Sequence, residues 1–446
     1  MGSRTFDEVA VSRRGLLRGG ALLGAGAALA ALPMGRAAFA QAGQWPAVTA
    51  LADRYVTSRK LANMVSVLGW QQRAPDVIAK GTLAIGQAAP AGIDSLYRIY
   101  SMTKPITGMA AMMLIEDDKL ELDQPLAEIL PAFADMRVQK TYDGSITDLE
   151  PAERPITIRH LLTHTAGLGY SIIQKGPIKA AYERAGAIPG QVTKLPLGEI
   201  FGRGQPAPSL EAFADNLAAL PLVAQPGTRW SYSVALDLMG RVIEVASGQP
   251  FDAFLQERMF DPLGMTSTWF RVPASEVGRL TTNYGIMNGT LLPLDPARAS
   301  VYLDAPAFPF GGAGLVSSPA DYDRFLRMLV GYGEFEGKRV MSEAAVRLGT
   351  SNLLPEGVTT EGTFAAGSGF GAGGRVGLGA EAGTYGWGGA AGTVAFADLK
   401  RGLRAGMFTQ YMPVETYPLH SEFPAAVVAD VMALAKQGAG MQGAQG

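Results

Sequence analysis

The 446-residue chain contains no cysteine and only three histidines, His160, His164 and His420. The absence of cysteine excludes disulfides, thiolate metal ligands and a cysteine nucleophile. His160 and His164 are four positions apart and could share a helix face, but a metal site needs a third ligand and His420 is distant along the chain. We therefore interpret the first two as core or helix-capping residues, and we expect no metal or other cofactor.

An excess of positive charge is also missing, since 38 Lys and Arg stand against 40 Asp and Glu. Residues 1–40 hold five basic and two acidic residues, which leaves 33 basic and 38 acidic residues, a net charge of −5, in residues 41–446. Such a balance provides no basic face for nucleic acid. We therefore expect no nucleic-acid partner.

The first 40 residues have the pattern of an export signal. "SRRGLLR" (Ser12–Arg18) is followed by the uncharged run 19–34 and by "AFA" (Ala38–Ala40), a small-residue cleavage signal. This order is typical of a twin-arginine signal cut before Gln41, and it predicts a periplasmic or secreted protein. The alternative is a membrane anchor, but the uncharged run is shorter than the roughly 20 residues that span a bilayer. We expect no membrane span in the mature chain.

Residue patterns predict strands near both ends of the mature chain. Residues 64–68 ("MVSVL") and 77–85 ("VIAKGTLAI") are rich in β-branched residues and are separated by a polar stretch, as in a strand pair. Near the other end, "GTVAFAD" and "LRAGMFTQY" flank the turn Leu399–Gly402 and indicate an antiparallel hairpin, which a helix at 423–435 follows. We expect one antiparallel sheet built from both termini.

The middle of the chain has helical periodicity. Residues 101–116 are apolar nearly all round, which indicates a buried helix, and amphipathic segments follow to about residue 270. A single core stops growing near about 250 to 300 residues. We therefore predict an α/β (α+β) fold with a discontinuous sheet domain (41–115 and 310–446), an inserted, mainly helical domain (116–309) and a flexible tail (436–446).

Two familiar enzyme signatures are absent or misplaced. No serine has glycines two residues away on both sides, which argues against an α/β-hydrolase. Gly369, Gly371 and Gly374 match the dinucleotide-binding pattern formally, but the following residues do not form a helical pattern. We interpret this glycine-rich segment as strand and loop.

The segment "YSMTKPITG" (Tyr100–Gly108) places Ser101 three residues before Lys104. In a helix, such residues lie on one face with Cβ atoms about 5 to 6 Å apart, within hydrogen-bonding reach for their side chains. A serine hydroxyl becomes a nucleophile when a neighbouring base removes its proton, and a lysine can do this when burial disfavours its charged form. Ser101 and Lys104 are therefore candidate catalytic residues.

Two further segments could complete a site. In "PGTRWSYSVALDLMG" (Pro226–Gly240), a Pro-Gly turn delivers Tyr232 to a helix start, and a phenol beside a lysine cation ionises more easily. In "YGWGGAAGT" (Tyr385–Thr393), glycines allow close backbone approach, and the free N–H of an edge strand can stabilise an oxyanion. A packed aromatic residue and a β-bulge are the structural alternatives.

Together, in this order, the three segments resemble the serine β-lactamase and penicillin-binding-protein superfamily, and most of all the family VIII carboxylesterases, which are similar to class C β-lactamases. The resemblance extends to "RPITIRHLLTHTAGL" (154–168), "GGAGLVSSPADYDRFLRMLV" (311–330) and "GKRVMSEAAV" (337–346). It implies a β-lactamase-like fold, with an antiparallel sheet flanked by helices.

The resemblance also implies roles. Ser101 corresponds to the acylated nucleophile, Lys104 to its activating partner and Tyr232 to the general base of the Y-x-N motif. Trp387, Gly388 and Gly389 take the place of the K-T-G strand motif and imply contacts with substrate. The backbone N–H groups of Ser101 and Ala390 then form the oxyanion hole. Whether Lys104 or Tyr232 is the base stays open, because two coupled groups titrate as a pair.

Two departures from the superfamily pattern favour esters over β-lactams. Val234 takes the third position of Y-x-N, so no amide is available there. Trp387 stands where β-lactamases and peptidases carry Lys or His, so no cation awaits a substrate carboxylate. We expect a serine carboxylesterase for uncharged esters of short chain length, about C2 to C6. A β-lactamase, a peptidase, an acyltransferase and a non-catalytic cell-envelope binding protein are the alternatives.

Overall fold

A computed structural model describes residues 45–195 and 204–443. The predicted export signal (1–40) lies outside these residues. The helices are α1 (Pro46–Thr57), α2 (Thr103–Glu116), α3 (Ile158–Leu162), α4 (Gly176–Arg184), α5 (Leu210–Ala218), α6 (Ala235–Ser247), α7 (Phe251–Leu255), α8 (Asp261–Leu263), α9 (Pro319–Val330), α10 (Glu343–Gly349) and α11 (Leu419–Gly443). Among the described helices, none is both long and apolar enough to cross a membrane.

The strands are β1 (Asn63–Trp70), β2 (Asp76–Gly81), β3 (Tyr97–Arg98), β4 (Arg137–Gln139), β5 (Leu149–Pro151), β6 (Asn283–Met287), β7 (Thr290–Asp295), β8 (Val316–Ser317), β9 (Glu334–Phe335), β10 (Lys338–Arg339), β11 (Gly369–Phe370), β12 (Arg375–Val376), β13 (Thr384–Gly388), β14 (Val394–Asp398), β15 (Leu403–Phe408) and β16 (Tyr411–Met412).

The main sheet has seven antiparallel strands in the order β11-β12-β13-β14-β15-β1-β2. Val67 of β1 lies opposite Val77 of β2 on one side and Gly406 of β15 on the other. The N-terminal strand pair and the C-terminal hairpin are therefore neighbours, and the prediction of a sheet built from both termini is confirmed. The predicted second strand was too long, because β2 ends at Gly81, which has a positive φ.

Strand β1 is buried over its whole length, because both faces of the sheet are covered. Successive side chains of a strand point to opposite faces. Met64 and Leu68 join the apolar cluster that α1 and α11 form on one face, while Val65 and Val67 join the larger core on the other face. Burial on both faces explains why this segment is almost uniformly apolar.

Helix α2 is the central helix of that larger core, as its sequence predicts. Every residue from Thr103 to Leu114 is buried. Around it lie α6 and α10, and α6 ends at Gly248, whose left-handed φ of 75° closes the helix. The chain reaches α2 through β3 and one turn of 3₁₀-helix, Tyr100–Met102. This short connection places the start of α2 at one end of β13.

The middle of the chain has shorter helices than its amphipathic segments indicate. Residues 122–133 form two single 3₁₀ turns, Leu126–Glu128 and Pro131–Phe133, where a continuous helix would meet Pro125 and Pro131. The hairpins β4–β5 and β6–β7 also lie within this region. The domain boundaries stay predictions.

At the C-terminus, α11 continues to Gly443 and so includes most of the segment that we predicted to be a flexible tail. The Asp430 side chain, which precedes that segment, holds the helix against α1. The Asp430 carboxylate accepts hydrogen bonds from the N–H groups of Ala47 and Val48 at the first turn of α1, at 2.8 and 3.0 Å. A helix held in this way propagates into the following glycine-containing segment ("KQGAGMQG", residues 436–443) more easily than it nucleates there.

Candidate active site

Ser101 lies in the 3₁₀ turn immediately before α2 and is partly exposed. Tyr100, just before it, has a φ of +42°, a left-handed conformation that is strained for a bulky residue. The turn is held on either side of the serine, since Tyr322 Oη donates to the Met102 carbonyl at 3.0 Å and Thr103 Oγ1 accepts from the Leu315 N–H at 3.2 Å. A strained backbone conformation next to a reactive side chain that the fold holds in place is typical of functional sites.

Lys104 is the second residue of α2, one turn after Ser101, and is completely buried. Its Nζ donates to Ser101 Oγ at 3.3 Å and to the carbonyl of Gly312 at 2.7 Å, and it lies 4.7 Å from the centre of the Tyr232 ring. Gly312 is held in turn by the buried carboxylate of Asp237, whose Oδ1 accepts its N–H at 2.8 Å. The predicted Ser101–Lys104 pair is therefore present, and the Gly312 carbonyl fixes the direction of the amine.

Tyr232 comes from the loop that precedes α6, and its ring is buried. Its phenol donates a hydrogen bond to Ser101 Oγ at 2.8 Å. The serine oxygen thus contacts Lys104 and Tyr232 together, although the two side chains come from different segments. Three residues selected from sequence alone meet at one atom.

Trp387 lies on β13, and its indole Nε1 donates to the Tyr232 phenol oxygen at 3.2 Å. The sequence predicted a substrate contact and no cation here, and the hydrogen bond to Tyr232 was missed. A general signal was available, because a buried tryptophan N–H normally finds an acceptor. The Tyr232 hydroxyl therefore donates to Ser101 while its oxygen accepts from the indole. A donor to that oxygen, such as the indole N–H, stabilises negative charge there.

Other rings surround the Tyr232 ring and were not assigned to the site from the sequence. Their centres lie 4.7 Å away for His164, 5.4 Å for Tyr170 and 5.4 Å for Phe364. Phe364 comes from the long loop before β11 and is partly exposed. The loop composition carries no signal for this contact, which depends on how the chain returns to the sheet.

Gly389 brings the end of β13 against the turn that carries Ser101. A Cβ atom at Gly389 would overlap the carbonyl oxygen of Ile99 and Oγ1 of Thr393, so only glycine fits. The expectation of an edge strand needs correction, because β13 pairs with β14 on one side and with β12 on the other. The β12 pairing stops at Gly386, so only the segment from Trp387 onward has a free edge.

The other residues predicted for the site lie at the end of β13 and at the start of α6. Gly388 ends β13, and Ala390 follows Gly389 in the turn to β14, so the predicted oxyanion donor is next to the glycine that approaches Ser101. Val234 is fully buried and apolar at the N-cap of α6. The oxyanion-hole and substrate roles stay predictions.

The histidines have structural surroundings. His160 Nδ1 accepts the N–H of Thr157 at 3.2 Å while Thr157 Oγ1 caps the helix, so His160 completes a capping box, as we interpreted it. Burial lowers the pKa of His160 to about 4. Within residues 45–195 and 204–443, no group of three or more His, Cys, Asp or Glu residues is arranged to hold a metal ion.

The glycine-rich segment 369–374 forms strand and loop, as predicted.

Comparisons with known proteins agree with this geometry. The family model described as Beta-lactamase matches residues 23–427. Protein Rv1367c of Mycobacterium tuberculosis is 36% identical over 296 residues, 66% of this chain and 69% of its own length. Esterase EstB of Burkholderia gladioli is 30% identical over 383 residues, 81% of this chain and 88% of its own.

A solved structure extends the likeness to three dimensions. EstCE1, described as a hydrolase with promiscuous acyltransferase activity, superposes with a TM-score of 0.67 at 26% identity and covers 85% of this chain and 97% of its own. The resemblance to the β-lactamase and penicillin-binding-protein superfamily is confirmed, and so is the β-lactamase-like fold. The chain belongs to the Beta-lactamase family, and it is an enzyme of a superfamily of serine hydrolases whose members include esterases and acyltransferases.

Proposed function

We propose that this protein is a carboxylesterase that hydrolyses short-chain, uncharged esters through an acyl-enzyme on Ser101. The observation that carries the proposal is the contact between the indole of Trp387 and the phenol of Tyr232, directly beside Ser101 Oγ. This contact puts an uncharged aromatic donor at the position where a cation would select a substrate carboxylate. The intact contacts among Ser101, Lys104 and Tyr232 also argue against a non-catalytic binding protein, which has no need of them.

Acylation begins when Ser101 Oγ attacks the ester carbonyl carbon and its proton passes to the Lys104–Tyr232 pair. The backbone N–H groups of Ser101 and Ala390 are the proposed donors to the resulting oxyanion. The bond between the carbonyl carbon and the alcohol oxygen then breaks, and the departing alkoxide takes the proton from the pair. The products are a free alcohol and an ester of Ser101 with the acyl group.

Deacylation repeats these steps with water. The pair accepts a proton from the attacking water, a second tetrahedral intermediate forms, and the bond to Ser101 Oγ breaks as the proton returns to that oxygen. The carboxylic acid leaves and the serine is restored. The 2.8 Å contact between Tyr232 Oη and Ser101 Oγ is the path over which the proton moves in both halves.

Two residues favour esters over β-lactams. Residues 384–393 contain no Lys or Arg, and Trp387 occupies the family's cationic position. Burying a ligand carboxylate without a cation or donors costs several kcal/mol, roughly 2 or more. Val234 also offers no amide to the substrate. The aromatic rings of Trp387 and Phe364 instead provide apolar contact for a short acyl or alcohol group.

Acyl transfer is a second candidate, because the EstCE1 description names acyltransferase activity beside hydrolysis. The same proton pair would activate an alcohol in place of water, and the product would be a new ester. Adding increasing concentrations of a small alcohol to a hydrolysis assay tests this, since acyl transfer gives the corresponding ester at the expense of free acid.

Relative rates on three substrates test the main proposal. We expect kcat/KM for p-nitrophenyl butyrate well above that for nitrocefin, and nitrocefin above benzylpenicillin. Trp387→Lys should lower ester turnover and tighten the binding of carboxylated β-lactams, because an ammonium replaces the indole. A wild-type enzyme that prefers nitrocefin, or one whose Ser101 peptide is not labelled by a fluorophosphonate, would contradict the proposal.

We also propose export by the twin-arginine route, with Arg13 and Arg14 as the recognised pair. A chain without cysteine folds without disulfides and is suited to export in the folded state. Replacing both arginines by lysine should leave uncleaved, active enzyme in the cytoplasm. Normal cleavage and release of that variant would contradict this route.

A further inference from the structure

His164 lies next to the proposed site but takes no part in the mechanism above. It is completely buried, and its φ of +56° is unusual for a residue other than glycine. The backbone turns there because His164 follows the short helix α3, which ends at Leu162. A buried, strained histidine needs compensating contacts. Besides an edge contact with the Phe370 ring and its own helix-end hydrogen bond to Leu161, His164 contacts the loop that carries Tyr232.

Both chain neighbours of Tyr232 are held by His164. The Ser231 N–H donates to the His164 carbonyl oxygen at 2.9 Å, and the Ser233 N–H donates to the ring Nδ1 at 3.2 Å. Ser233 Oγ lies 3.1 Å from the same nitrogen. The His164 ring itself packs on the Tyr232 ring, with centres 4.7 Å apart. His164 thus contacts three successive residues, 231–233, through its main-chain carbonyl, its ring face and its ring nitrogen.

The Ser233 contact requires a neutral imidazole. Because Nδ1 accepts a backbone N–H, the ring proton resides on Nε2 in this arrangement. Burial and the positive charge of Lys104 lower the pKa of His164 well below its usual range, which keeps the ring neutral. A charged ring would place an N–H against the Ser233 N–H and break the contact.

We propose that His164 is a positioning residue, which holds the loop 231–233 so that the Tyr232 phenol stays at hydrogen-bonding distance from Ser101. The proposal rests on the proposed function, since it assigns Tyr232 a part in proton transfer. Within residues 45–195 and 204–443, His164 makes no hydrogen bond with Ser101, so it acts on the serine through Tyr232.

Two amide substitutions separate the acceptor from other features of the ring. The amide oxygen of His164→Asn lies near the position of Nδ1 and can accept the Ser233 N–H, and asparagine tolerates a left-handed φ. The amide oxygen of His164→Gln lies one bond farther out and misses that donor. We expect the acylation rate of Ser101 by a fluorophosphonate to fall less than about tenfold for Asn and at least about a hundredfold for Gln, because a misplaced base costs orders of magnitude. KM for p-nitrophenyl butyrate should change little.

A double-mutant cycle with Tyr232→Phe shows whether the effect passes through Tyr232. In that background, the His164 substitutions should change the acylation rate by less than about threefold, because the group that they misplace is already absent. His160→Gln is the matched control at another buried histidine, and it should leave acylation unchanged.

The outcomes distinguish this inference from the proposed function. Failure of the fluorophosphonate to label Ser101 in wild-type enzyme rejects the proposed function. Labelling of wild type, with equal losses for Asn and Gln or with losses that persist undiminished in the Tyr232→Phe background, overturns the role of His164. If His164→Gln does not fold, His164→Asn decides alone: a loss below about tenfold that disappears in the Tyr232→Phe background supports the role, and a larger loss, or one that persists there, overturns it.

Discussion

The phenol oxygen of Tyr232 lies 2.8 Å from Ser101 Oγ, across 131 positions of sequence. Lys104, at the start of α2, donates to the same Ser101 Oγ at 3.3 Å. The shorter contact is the one that depends on tertiary structure, whereas the longer one follows from helical spacing. The proposed proton transfer at Ser101 therefore depends on how accurately the loop before α6 is placed against α2.

Ser101→Ala should abolish ester hydrolysis, with a loss of at least about a thousandfold in kcat, because the acyl acceptor is gone. Ser101 is partly exposed and lies in a turn held by Met102 and Thr103, so the fold should survive. Circular dichroism and the melting temperature check the fold, and p-nitrophenyl butyrate checks turnover. Activity that stays above a trace in a properly folded variant rules out Ser101 as the nucleophile.

Lys104→Met and Tyr232→Phe should each be severely impaired, and the double variant should be little worse than the worse single variant. The two groups share one proton and one acceptor, and residues that act as a unit show non-additive losses. Methionine keeps most of the buried volume of Lys104 and phenylalanine keeps the ring of Tyr232. Losses in kcat/KM that multiply in the double variant would show independent roles instead.

Much of this site could be predicted from the sequence, because several of its residues are close to one another along the chain. The spacing of Ser101 and Lys104, the apolar run 101–116 and the turn Leu399–Gly402 all concern residues that are neighbours in one element. Their structural consequences follow from helical and strand periodicity. The place of Tyr232 at a helix start was also local, but its contact with Ser101 entered only through resemblance to a family.

The parts that the sequence did not predict are contacts between distant segments. The hydrogen bond from Trp387 to Tyr232 joins residues 155 positions apart. The hydrogen bond from the Ser233 N–H to His164 joins residues 69 positions apart. No periodicity relates such pairs, and each depends on the packing of loops against the sheet. The predicted helix at residues 122–133 was wrong for another reason, because Pro125 and Pro131 interrupt an otherwise amphipathic pattern.

Gly389→Ala should strongly impair acylation, because the added methyl group would overlap the Ile99 carbonyl oxygen and Thr393 Oγ1. Relief of that overlap moves the end of β13, and with it Ala390, away from Ser101. Gly92→Ala is the matched control, since nothing lies within 4 Å of a Cβ there. Acylation rates and melting temperatures of the two variants should differ clearly. Wild-type rates for Gly389→Ala would show that this close approach has no part in the oxyanion hole.

His160 should make the enzyme sensitive to acid. Its folded-state pKa is lowered to about 4, mainly by burial, from about 6.5 in the unfolded chain. The unfolded state therefore binds the proton more readily, and the free energy of unfolding falls as the pH drops from about 6.5 to about 4, by on the order of 3 kcal/mol from this residue. His160→Gln keeps a capping-box residue without a titrating ring. Urea unfolding should show equal stability at pH 8 and a shallower acid loss in the variant; parallel curves would contradict the assignment.

Trp387→Phe separates the hydrogen bond of the indole from its apolar surface. Phenylalanine keeps an aromatic ring beside Tyr232, but it removes the Nε1–H that lies 3.2 Å from the phenol oxygen. If that donor stabilises negative charge on the phenol during proton transfer, kcat should fall about tenfold or more while KM for a butyrate ester changes little, because the lost interaction matters mainly in the transition state. The same substitution in the Tyr232→Phe background should have almost no effect on kcat, since no phenol oxygen remains to accept. A rise in KM at constant kcat would show instead that Trp387 serves only as a wall of the substrate pocket.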